Sequence, residues 1–133
     1  MLGKNNVRFF FFIINLPFTL LAIIPVLLSV PYSIKISKNP IAFILKVKRF
    51  WWAFGYMKHA RAMTFGHVIL MSPAVLKNDL EHEIIHVKQF DRYPFVFPLL
   101  YARELLKNGP RYNCFEDEAY KLSKSVYKGK QSS

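Results

Sequence analysis

The chain has 133 residues and a mass of 15.6 kDa, room for one domain with at most an appended segment. It is 53% hydrophobic and 17% aromatic with a mean hydropathy of +0.16, which excludes an acidic disordered chain, collagen and low-complexity composition. Nineteen Lys and Arg against eight Asp and Glu give a formal charge of +11, a balance that suits nucleic acid or an anionic membrane surface, and the single cysteine, Cys114, excludes an intrachain disulfide or a multi-cysteine zinc site.

From Phe9 to Val30 no residue is charged. As one helix that run would extend about 33 Å, enough for a hydrocarbon core of roughly 30 Å. It is too long for a secretory h-region, and no small-x-small cleavage site follows it. A membrane helix kinked at Pro17 and Pro25 is expected, with a re-entrant or two-piece hairpin as the alternative. Lys4 and Arg8 lie before it; Lys35, Lys38, Lys46, Lys48 and Arg49 lie after it. The heavier positive flank is C-terminal, so the rest of the chain is expected on the cytoplasmic side, and topology then accounts for most of the basic excess without nucleic acid.

Tyr32 to Ser37 alternates as a short strand ended by Asn39-Pro40. Ile41 to Phe54 is apolar and basic together and reads as a helix or strand at the membrane interface, with Trp51 and Trp52 in the aromatic belt. Ala62 to Met71 has the composition of one strand. Ser72-Pro73 is expected to open a helix running to about Tyr93, ahead of Pro94. A second helix follows over about Phe95 to Lys107, closed by Asn108-Gly109-Pro110, and a third from Asn113 to about Tyr127. The expected layout is a membrane segment (1–31), an α+β domain (32–127) made of a short sheet, a site-bearing helix and two further helices, and a polar tail (128–133).

The residues that carry chemistry are His82-Glu83-Ile84-Ile85-His86, an HExxH. On a helix the two imidazoles project from one face one turn apart and reach a single metal ion, while Glu83 reaches water beside it as a general base. Leu76, Leu80, Ile84 and Val87 form a separate apolar stripe at helical spacing. Zinc needs a third protein ligand and an open fourth position. Six of the eight acidic residues fall within 79–83 and 116–118. Glu116 is favoured as the third ligand, with Glu118 as substitute; the competing role for Glu116 is a capping box with Asn113. His67 lies in the candidate strand and could approach the site or be structural. His59 reads as a surface group. Gln89, one turn past His86, either hydrogen-bonds near the metal or faces solvent.

HEIIHVKQ followed by FEDEAY resembles the gluzincin-type zinc metallopeptidases, and especially small bacterial membrane-linked members with an HExxHxxQ helix and a late F-E-x-E-A segment. The E-x-x-A spacing is also similar to the ExxAD element of membrane-embedded HtpX-like peptidases, with Tyr120 standing where that element has Asp. The resemblance covers about residues 62–120. It implies a zincin-like fold, Zn2+ held by His82, His86 and Glu116, catalysis by Glu83, and a peptide or protein substrate at a bacterial inner membrane. Tyr120, Tyr112 and His67 are candidate oxyanion donors. The alternative is a non-catalytic membrane protein that keeps this fold and binds a partner.

Overall fold

The computed structural model describes residues 4–38, 40–48 and 61–125. The uncharged run forms three short helices, α1 (Lys4–Ile14), α2 (Leu16–Leu21) and α3 (Ile23–Leu28), which corrects the expected single membrane helix. Among the described residues no single helix is long and apolar enough to cross a bilayer; the stretches 6–14 and 16–28, bent by 57°, pass together on length and composition. The break has one local cause and one tertiary cause. Pro17 has no N–H with which to continue the helical ladder, and Asn15 at the joint turns its amide inward.

Four strands follow: β1 (Pro31–Lys38), β2 (Ile41–Val47), β3 (Ala62–Phe65) and β4 (Val68–Met71). They form one mixed sheet in the order β1-β2-β4-β3, with only β2 and β4 parallel. The expected strand over Tyr32–Ser37 is present. Of the segment read as a helix or strand at the interface, Ile41–Val47 is an inner strand paired on both sides, and its side chains are buried by the helices that cover the two faces of the sheet. Trp51, Trp52 and His59 lie outside the described residues. The single strand expected over Ala62–Met71 is a hairpin, because the chain reverses at Gly66-His67. Gly66 has φ +59, and a Cβ there would lie 2.7 Å from the backbone nitrogen and Oγ1 of Thr19 on α2.

Helix α4 (Asp79–Arg92) starts six residues later than expected, with Asn78 rather than Ser72 at its N-cap position. Ser72 caps only a short turn, its Oγ accepting from Ala74 N at 3.2 Å, and Leu76 is exposed ahead of the helix rather than on its apolar stripe. Helix α5 spans Phe97–Tyr112, but Gly109 (φ 78, ψ 172) breaks it in two, so its first piece stops at Asn108-Gly109-Pro110 as expected and a short helical piece follows. Helix α6 (Cys114–Ser123) begins where expected, Asn113 Oδ1 accepting from Phe115 N at 2.9 Å, and ends early where Lys124 turns left-handed.

The sheet is covered on both faces. Ala22 and Val26, from the N-terminal helices, pack on Leu45, Val47, Met63, Val68 and Leu70. Val87, Ile84 and Leu80 of α4 pack on Ala42, Ile44, Ile69 and Met71 on the other face. A third cluster, Phe90, Phe97 and Phe115, joins α4, α5 and α6, and Phe18 of α2 reaches it. A buried phenylalanine of this kind contributes about 1.5–3 kcal/mol relative to exposure. The N-terminal run is therefore a layer of the fold. Gly66→Ala should test this directly. The left-handed backbone and the clash with Thr19 together should cost about 2 kcal/mol, read as a lower Tm or denaturant midpoint in mild detergent. Unchanged stability would mean that α2 does not seat on the hairpin turn.

Candidate metal centre

Helix α4 is positioned at both ends by charge. Arg61, just before β3, grips Asp79 in the first turn through Nε–Oδ2 at 2.7 Å and Nη2–Oδ1 at 3.0 Å. At the other end His67 places Nε2 2.7 Å from Asp91 Oδ1, an ion-pair approach rather than an aligned hydrogen bond, and Nδ1 2.5 Å from Ile41 O. With its sheet face fixed, α4 turns His82, His86 and Gln89 toward α6.

There His82 Nε2 and His86 Nε2 lie 3.1 Å apart. Glu116 crosses from α6 and closes the triangle, with Oε2 3.2 Å from His82 Nε2 and Oε1 2.7 Å from His86 Nε2. Ligand atoms about 2.0–2.1 Å from a tetrahedral metal are roughly 3.3 Å from one another, close to the 3.1 Å between the two imidazole nitrogens, and one oxygen of Glu116 lies beside each of them. His82, His86 and Glu116 together could hold a metal ion. Glu118, the alternative ligand, points elsewhere and forms a two-point pair with Arg92 at 3.0 and 3.1 Å.

The outer contacts fix which nitrogen faces the centre. His86 Nδ1 donates to Gln89 Oε1 at 2.8 Å, and Gln89 is oriented by donating through Nε2 to Phe115 O at 3.0 Å and Glu118 Oε1 at 2.9 Å. That leaves the Nε2 lone pair of His86 for a cation. His82 Nδ1 lies 2.8 Å from Ser125 Oγ, while Tyr120 stacks against the His82 ring at 4.4 Å. His82 thus has an aromatic neighbour in Tyr120 and a polar one in the Ser125 hydroxyl. Tyr101 donates to Glu116 Oε1 at 3.1 Å. Glu83, fully inside on the neighbouring part of α4, accepts from the Thr64 hydroxyl on β3.

Burial raises the Glu83 carboxyl above its ordinary range, against the pull of His86, His82 and Thr64. For His86, burial pulls downward, but the charge and hydrogen bond of Glu116, with Glu83 and Gln89, outweigh it and push the imidazole up to about 9. Burial likewise opposes ionisation of Glu116, and the two histidines overcome it, holding that carboxyl well below the usual range. The site therefore gathers charges that need one another.

Of the residues singled out in the sequence, His82, His86, Glu83 and Glu116 are brought together and Gln89 joins them. His67 is not: it is fully buried under α2 on the Asp91 side, its ring edge-on to Phe12 at 5.4 Å. Tyr112 is exposed at the end of α5. Thr64, Tyr101 and Ser125 belong to the site but carry no spacing signal, because each arrives from a different element. Comparison with protein-family models, curated proteins and solved structures gives no match, so no family is assigned and the geometry stands on its own.

Two outcomes follow for metal binding. The raised His86 must lose its proton to coordinate, so apparent affinity should climb from pH 6 to about 9 and level off above, with a proton released per ion below that point. Calorimetry in buffers of different ionisation enthalpy reads this; a flat profile would remove His86 from the site. Replacing Gln89 by Leu should weaken metal binding about 10–100-fold while the helix persists, since the acceptor that sets the His86 tautomer is gone.

Proposed function

We propose that this chain is a zinc-dependent peptidase working at a membrane, on a zincin-like arrangement of sheet and site helix. The observation that carries this reading is the convergence of buried His82 and His86 with half-buried Glu116 as a three-point donor set, Glu83 lying buried beside it. Two imidazoles and one carboxylate suit zinc better than magnesium or calcium, which take oxygen donors, and three protein ligands with an open fourth position are the catalytic form of such a site. Zinc bound there supplies Lewis acidity and lowers the pKa of water at the open position.

The chain's own groups do the rest. Glu83 takes the proton of the attacking water and returns it to the leaving amine; its raised affinity for protons suits both steps. Thr64 holds that carboxyl against β3, the edge strand next to α4. Gln89 and Ser125 keep the imidazoles oriented, and Tyr101 keeps Glu116 from swinging toward solvent. The uncharged N-terminal run and the basic residues after it support a membrane location, with a peptide or protein as substrate.

Glu83→Gln is the decisive variant. It should retain one zinc per chain and an unchanged Tm, while peptide cleavage per zinc falls about 10²–10⁴-fold. Equal cleavage by variant and parent would show that the activity does not use this site. No cleavage by the zinc-loaded parent across a broad peptide set would transfer the reading to a binding protein of the same fold.

A further inference from the structure

We infer that the N-terminal helices and β1 lie in the plane of one bilayer leaflet, entering from one side without crossing, on a membrane with anionic headgroups. This rests on the membrane location proposed above and specifies how the chain meets the lipid.

The middle of the apolar run is held by the domain. Asn15 is fully buried; its Nδ2 donates to Phe11 O and Phe90 O at 3.1 Å and reaches Asp91 Oδ1 at 3.4 Å, while its Oδ1 accepts from Phe95 N at 3.1 Å. One turn on, Thr19 Oγ1 accepts from His67 N at 3.0 Å, and Ala22 and Ser29 are closed off from solvent. Straightening the run into a span would strip these polar groups from their partners, at roughly 1–3 kcal/mol for each one left unsatisfied.

The outer side of the same helices is apolar and bare. Leu21, Ile24 and Leu27 are each more than 60% exposed. The sheet continues that surface. Ile34 and Ile36 of β1 pair with Leu45 and Phe43, so they share the sheet face that α2 and α3 cover, yet they lie beyond the helices and are also at least 60% exposed. An uncharged surface of this kind marks an interaction site.

Charge selects the occupant. Residues 1–78 contain ten Lys and Arg and no Asp or Glu; all eight acidic residues lie from Asp79 onward. Lys38 shares the sheet face of Ile34 and Ile36, Lys35 and Lys46 project from the opposite face of the same two strands, and Lys48 directly follows β2; all four are exposed. An apolar face with cations and no acids around it complements the acyl region and headgroups of an anionic leaflet.

The test adds the full chain, tagged at both ends, to preformed sealed vesicles of phosphatidylcholine with or without phosphatidylglycerol. In a Cys114→Ser background, Ile24→Cys, Ile34→Cys and Lys121→Cys carry an environment-sensitive dye. Flotation should be about tenfold tighter with phosphatidylglycerol at low salt. The dye should shift to the blue at 24 and 34 but not at 121, quenched most by nitroxides near the headgroups. External protease should remove both tags. One protected tag with quenching deepest at the bilayer centre means a span; it overturns this inference and leaves the membrane location standing. No flotation with either lipid overturns both. A blue shift without vesicles, accompanied by dimerisation, overturns the inference in favour of a second copy on this surface.

Discussion

Four ionisable side chains packed together with little exposure to solvent set the terms for the rest of this structure. His82, His86, Glu83 and Glu116 sit side by side, and burial works against the ionised forms of Glu83, His86 and Glu116. Each is stabilised by its neighbours and by a further set of donors and acceptors from α4, α5, α6, β3 and the turn after α6. Such a cluster keeps its geometry only if every element that feeds it is held in register. Removing one member strands the others, which is why the outer contacts matter as much as the three donor atoms.

The aromatic cluster of Phe90, Phe97 and Phe115 provides that register. It packs with ring separations of 4.6 and 4.9 Å and brings the first turn of α6 against the last turns of α4. Glu116 follows Phe115 directly, so the burial of one side chain aims the next into the site. The chain from Arg92 through Glu118 and Gln89 to His86 runs along the same contact. Packing and electrostatics thus act on a single interface between two helices.

The opposite end of α4 links the site to the N-terminal layer. Asp91 meets His67 from the hairpin turn and Asn15 from the helix break, so the β3–β4 turn, α4 and the apolar run converge on one carboxylate. The same hairpin carries Thr64, which holds Glu83. The exposed apolar surface of the N-terminal layer and the His82–His86–Glu116 cluster are accordingly linked through one sheet and one helix.

Much of this was written locally. The sequence by itself determined the first strand, the existence of α4, α5 and α6, the cap at Asn113, and the placement of both histidines on one helical face, because each depends on spacing or on contacts within a turn. It also singled out Glu116, through the clustering of acidic residues in a basic chain. Tertiary structure decided what depends on contact between distant segments. Gly66 turned one apolar strand into a hairpin because α2 presses on it, and the uncharged run became a bent layer because Asn15 found partners near residue 91. Glu116 rather than Glu118 faces the histidines because Arg92 and Gln89 engage Glu118, and Thr64, Tyr101 and Ser125 join the centre only across the folded chain. Periodicity encodes which face a residue occupies; the partner that meets that face is fixed only when the helices and sheet pack.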